Sequence, residues 1–213
     1  LYAAYDSRSL LYKKLMQEGK LQGETKSLYI YQRFIKDYVR CVDGLDDQIG
    51  RILNFLDEHN LTENTLVIYS SDQGFFTGEH GWAEKRWMYE ESFRSPLLMR
   101  WPKMVKPGTK ITQLVQNIDL APTFIKAAGL TPPETVHGIA LQPILSNPSS
   151  RSWRKDILYQ YFDGGTPTNR GPYNMPRHEG IRDKRYKLIS FYDYKTWEFY
   201  DLKKDPEELH NLF

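Results

Sequence analysis

Between residues 27 and 56 the apolar positions step by threes and fours. Tyr31, Phe34, Ile35, Tyr38, Val42, Leu45, Ile49, Ile52 and Leu56 fall on one stripe. That period predicts a long amphipathic helix, with Ser27 as its N-cap and Cys41 buried near the stripe. After the polar turn HNLTENT comes Thr65-Leu66-Val67-Ile68-Tyr69, short, β-branched and wholly apolar. This is the pattern of a buried parallel strand. A second apolar run, residues 96–101, predicts another strand. Asn117-Ile118-Asp119 leads into LAPTFIKAAG, where Asp119 caps a helix, Pro122 lies in its first turn and Gly129 ends it. Helix, turn and buried strand in this order predict an α/β fold.

Beyond Gly138 the pattern changes. SNPSSRSWRK, residues 146–155, has the composition of a linker. Past it, residues 157–162, 181–192 and 196–200 read as strands with no strong helix between them. They predict a small antiparallel sheet, so the expected domains are residues 1–145, α/β, and 146–213, a C-terminal β subdomain. The first two of these strands are joined by GGTPTNRGPYNMPRHEG, a long Gly- and Pro-rich loop of the kind that often carries function.

Composition narrows the function classes. Lys+Arg 29 against Asp+Glu 27 gives no basic surplus for nucleic acid. Cys41 is the sole cysteine, so neither a disulfide framework nor a cysteine metal knuckle is available. No run approaches the roughly 18 to 20 apolar residues of a membrane span. Asp43, Asp46 and Asp47 lack the alternating oxygen ligands of a calcium loop and read as a solvated helix face.

The chemistry-bearing stretch is SSDQGFFTGEHGWAEKRWMYEES, residues 70–92. Asp72 stands where the apolar strand leaves the sheet, the position at which open α/β sheets bind ligands. Beside it, Gln73 offers an amide oxygen, and the pair suits a hard cation such as Ca²⁺ or Mg²⁺. The competing role for Asp72 is that of a turn residue. Lys85 and Arg86 could gather an anionic ester or form a solvated pair. His80, between glycines, could contact substrate, move a proton or bond to backbone. Glu90, Glu91 and Arg94 read as the polar face of a short helix, without chemistry.

TLVIYSSDQG followed by GEHGWAEKRWMYEESFRSPLLMRWP closely resembles the second conserved block of type I sulfatases, enzymes of alkaline-phosphatase-like fold. YVRCVDGLDDQIGRILNFLDEHNL, NIDLAPTFIKAAGL with GLTPPETVHGIALQPIL, and WEFYDLKKDPEELHNLF are similar to the family's long helix, following segment and C-terminal close. The resemblance implies hydrolysis of sulfate esters with one divalent metal, calcium rather than magnesium, and a formylglycine nucleophile made from Cys or Ser. Asp72 and Gln73 then correspond to metal ligands and Lys85 to the lysine that binds sulfate. The GEHGW…KRWMYEES style is similar to members acting on sulfated carbohydrate, glycosaminoglycan or N-acetylglucosamine sulfates. Arg177 and His178, at the end of the long loop, and His80 become candidate sugar contacts.

Cys41 stands in CVDGL, which departs from the family's Cys/Ser-x-Pro/Ala-x-Arg motif, so the nucleophile is not carried onto it. The paired aspartates, arginine, lysine and histidines of the family's N-terminal half are likewise not matched. The resemblance implies a C-terminal half, inactive alone, whose partners are the N-terminal half and a sulfated carbohydrate. A periplasmic, extracellular or lysosomal location also follows from it. Two alternatives stand beside it: a phosphodiesterase or phosphonate hydrolase of the same superfamily, and a non-catalytic module that binds sulfated glycan.

Overall fold

The structure, a computed structural model, describes residues 10–20, 22–165, 168 and 175–213. Helices α1 (Leu10–Gln17) and α2 (Gly23–Glu58) lead to strand β1 (Val67–Ser70), the single-turn helix α3 (Glu90–Phe93) and strand β2 (Leu97–Arg100). Helices α4 (Leu120–Ala127) and α5 (Gln142–Ser146) follow. Strands β3 (Asp156–Tyr161), β4 (His178–Asp183), β5 (Tyr186–Phe191) and β6 (Thr196–Asp201) complete the chain. Residues 166, 167 and 169–174, in the middle of the Gly- and Pro-rich loop, lie outside the described residues.

Two compact units divide the chain. One holds the chain up to Thr65 together with Phe76–Glu84, the other Leu66–Phe75 with Lys85–Phe213. This differs from a boundary at residue 145. The expected linker is tied down: Trp153 packs against the α5 cluster of Leu141, Ile144 and Leu145 and donates its indole N–H to Leu114 O at 2.7 Å. Arg154 grips Asp119 through two bonds, at 2.5 and 2.6 Å. Ser- and Pro-rich composition signals a linker only when no large side chain within it finds a pocket.

In the first unit, α2 runs longer than its stripe predicted. Its N-cap is Gln22, and Ser27 is an interior residue. Ile30 and Phe34 are buried, but every residue from 38 to 48 is exposed. Cys41 is exposed as well, against the expectation of burial. Periodicity reports which residues share a face, and this face is uncovered along the middle of the helix.

In the second unit, β1 pairs with β2 antiparallel, with Val67 opposite Arg100 and Ser70 opposite Leu97. The expected parallel pairing is therefore corrected. An apolar run reports burial on both faces but not the direction of its neighbour. The four C-terminal strands form an antiparallel sheet in the order β3-β4-β5-β6. The run at 181–192 proves to be parts of two strands, with Glu179 opposite Ser190 and Arg182 opposite Lys187. Asp183 makes the turn, its Oδ1 accepting from Arg185 N and Tyr186 N at 2.6 Å each. Met88 packs onto this sheet so closely that a Cβ on Gly180 would lie 2.3 Å from its sulfur. Only glycine fits there.

Candidate functional site

The loop after β1 is built by its own short polar side chains. Ser71 Oγ donates to Gln73 O at 2.7 Å and to Asp72 Oδ1 at 3.2 Å, and Gln73 N–H donates to Asp72 Oδ1 at 3.0 Å. Asn117, at the start of the 3-10 turn before α4, donates its amide to Asp72 O at 2.7 Å. Asp72 is thus held by its backbone while its side chain is 75% exposed. The Gln73 side-chain amide and then the Lys85 ammonium hold its carboxyl below the usual carboxylate range, so it is ionised at neutral pH. Lys85 Nζ lies 3.6 Å from Asp72 Oδ2. Asp72, Gln73 and Lys85, separated by up to thirteen positions, are therefore brought together.

Gly74 N–H donates to Ser92 O at 2.8 Å, which seats this loop on α3. A Cβ on Gly74 would lie 2.1 Å from Glu91 O. Gly74→Ala is expected to push the two segments apart and cost roughly 1–3 kcal/mol, as overpacking does. A thermal melt unchanged to within a degree would contradict it. Asp72 and Gln73 also line a cleft of about 1080 Å³, together with Trp87, Tyr159 and Arg182.

The other predicted site residues are placed differently. His80 belongs to the first unit, on a 3-10 turn (Glu79–Gly81), with left-handed backbone (φ 54°) and its ring edge-on to Phe76. Arg177 is engaged by Asp193 through Nε and Nη2, both at 2.7 Å, and its guanidinium lies over Tyr192. His178 is fully buried on β4, among the rings of Trp87, Tyr159, Tyr161 and Phe191, with Nδ1 3.0 Å from Pro176 O. Within this chain it packs the sheet and faces no open surface. A strand's alternation turns it inward, which position at a loop end cannot reveal.

Glu90, read as part of the polar face of a short helix, is half-buried and accepts from Arg182 at 2.8 and 3.0 Å. Lys187, with no exposed surface, reaches Glu90 at 2.9 Å, Glu208 at 2.7 Å and Met88 O at 2.6 Å. This buried network joins the segment after Lys85 to β4, β5 and the C-terminal tail. Its signal in the sequence is that Lys187 shares a strand face with Ile189 and Phe191, where a charge needs partners.

As cation ligands, Asp72 and Gln73 supply one ionised carboxylate and one amide oxygen, a hard donor pair. No group of three or more His, Cys, Asp or Glu side chains that could hold a metal forms among the described residues. A calcium ion takes about six to eight oxygens, so this pair is part of a ligand set at most.

The architecture is that of the alkaline-phosphatase-like α/β class. A structure described as in complex with its substrate D-glucosamine-2-N,6-O-disulfate superposes with TM-score 0.88 at 40% identity, covering 98% of this chain and 42% of that one. The chain belongs to the sulfatase family: residues 10–130 match the sulfatase family itself, and residues 78–213 match N-sulphoglucosamine sulphohydrolase, C-terminal. It is 42% identical to an N-acetylglucosamine-6-O-sulfatase of Bacteroides thetaiotaomicron over 99% of its own length and 37% of that protein's. A phosphonate monoester hydrolase of Agrobacterium radiobacter also superposes, with TM-score 0.67 at 28% identity, covering 78% of this chain and 34% of that one. The chain thus spans well under half the length of each of these proteins.

Proposed function

We propose that the complete protein carrying this chain is a calcium-dependent sulfatase acting on carbohydrate 6-O-sulfate esters, N-acetylglucosamine 6-sulfate foremost. The observation that carries this is the meeting of Asp72, Gln73 and Lys85 at the end of β1, in a chain 42% identical to an N-acetylglucosamine-6-O-sulfatase. Asp72 and Gln73 contribute two oxygen ligands, and the cation, when bound, polarises the sulfate oxygens. Lys85 contacts the sulfate and offsets charge that builds as the ester bond breaks. The formylglycine nucleophile and the remaining ligands belong to the N-terminal half of the same enzyme, and this chain alone is inactive. The exposed apolar side chains of α2, Val42, Leu45, Ile52 and Phe55 among them, support that partner, because large apolar side chains exposed along one helix suit a surface that is covered.

Asp72→Ala in the complete enzyme tests the reading. Loss of outer-shell partners of a metal typically costs 10–100-fold in affinity, and a direct ligand is expected to cost at least that. Calcium affinity, measured by titration calorimetry, and sulfate-ester turnover should fall together. Unchanged calcium stoichiometry and turnover would sink the assignment. The phosphonate monoester hydrolase similarity favours a second reading, which a panel of sulfate, phosphate and phosphonate esters resolves by the preferred substrate.

A further inference from the structure

Lys85 stands between two non-glycine residues of left-handed backbone, Glu84 (φ 79°) and Arg86 (φ 92°). Side chains bearing a Cβ seldom adopt such conformations, which persist only where the surroundings over-determine them. The surroundings of Arg86 are specific. Its N–H donates to Ser92 Oγ at 2.8 Å, and its carbonyl accepts from the Tyr159 hydroxyl at 2.8 Å. Ser92 is 2% exposed, and its own carbonyl receives Gly74 N–H, on the loop that carries Asp72 and Gln73. The Tyr159 ring is fixed edge-on to Phe93 and against His178. Burial pushes its hydroxyl up to about 12, so it stays a donor at any working pH.

We propose that Tyr159 and Ser92 are positioning residues for sulfate-ester hydrolysis: they hold the two successive peptide groups that flank the Arg86 Cα and so aim Lys85 at the sulfate beside Asp72. The proposal rests on the sulfate-contacting role of Lys85. Tyr159 acts from β3, on the sheet that follows the α/β part of the chain, through the Arg86 carbonyl. The C-terminal sheet is thereby part of the catalytic geometry through one hydrogen bond to a backbone carbonyl. Ser92 does double service, holding the Arg86 amide with its side chain and the Asp72 loop with its carbonyl. The same two short contacts thus set the cation and its counter-carboxylate relative to each other.

The test is a pair of double-mutant cycles in the complete enzyme, with kcat and KM measured on N-acetylglucosamine 6-sulfate. Tyr159→Phe and Ser92→Ala are each expected to lower kcat/KM about tenfold, chiefly through kcat, because a small misplacement of a catalytic group is costly. In a Lys85→Ala background each should add less than twofold, since the group they aim is gone. A merely structural role would instead multiply the penalties in the double variants, and that result overturns the proposal. So does turnover within twofold of wild type for both single variants while Lys85→Ala is crippled. If Lys85→Ala itself turns over normally, the sulfate-contacting role falls and the positioning proposal falls with it, an outcome distinct from the first two. Using two variants on separate elements keeps the test decisive if one of them folds poorly.

Discussion

Replacing Lys85 by alanine in the complete enzyme is expected, on the proposed sulfatase function, to lower kcat/KM for sulfate esters by about 10²-fold, the loss typical of removing one donor aimed at charge that develops in a transition state. The ammonium is well placed for the task. It is about one-third exposed, reachable by a ligand, and 3.6 Å from the Asp72 carboxylate. An ion pair with so exposed a partner contributes little stability, so an arriving anion displaces little. Lys85→Arg should recover only part of the rate, because a planar guanidinium presents its donors in a different fork from a compact ammonium. The effect belongs mostly in kcat, since the interaction strengthens as charge builds up. Turnover by Lys85→Ala within a factor of two of wild type would remove Lys85 from the site.

Asp119→Ala is expected to be the most destabilising single change in the second unit. Asp119 has no exposed surface, and Arg154, its bidentate partner, has a side chain 11% exposed. The same carboxylate accepts Ile139 N–H and Gln116 N–H, both at 2.8 Å. Removing it strands a buried guanidinium and two backbone donors at once. Breaking a buried ion pair from one side costs about 3–5 kcal/mol, and the orphaned amides add to that. Asp119→Asn keeps an oxygen for Ile139 but cannot hold the Arg154 fork, so it should fall between wild type and alanine. Thermal melting of the three proteins checks the order. An alanine variant that melts with wild type would show that Arg154 finds another partner.

Asp119 also shows where local reasoning stops. The residues NIDLAPTFIKAAG announce a helix with an acidic N-terminal residue, and α4 begins where that pattern places it. The carboxylate makes no side-chain cap to α4; it is spent on Gln116, Ile139 and Arg154 instead. The competing partner lies thirty-five residues on, in a stretch whose composition reads as a linker. Glu90 repeats the lesson: its helix was visible, whereas its partners Arg182 and Lys187 come from strands more than ninety residues away.

By itself the sequence determined the long helix, the strand before Asp72 and the small C-terminal antiparallel sheet. These follow from periods of two and 3.6 residues, and that signal is local; Asp72, Gln73 and Lys85 were singled out as a set by the resemblance to type I sulfatases. Tertiary structure alone decided the antiparallel pairing of β1 with β2, the burial of His178 and Lys187, and the clamp of Ser92 and Tyr159 on Arg86. The physical reason is the same in each case. A residue's own neighbours set its backbone preference, but its burial and hydrogen-bond partners depend on segments that only the folded chain brings within about 3 Å.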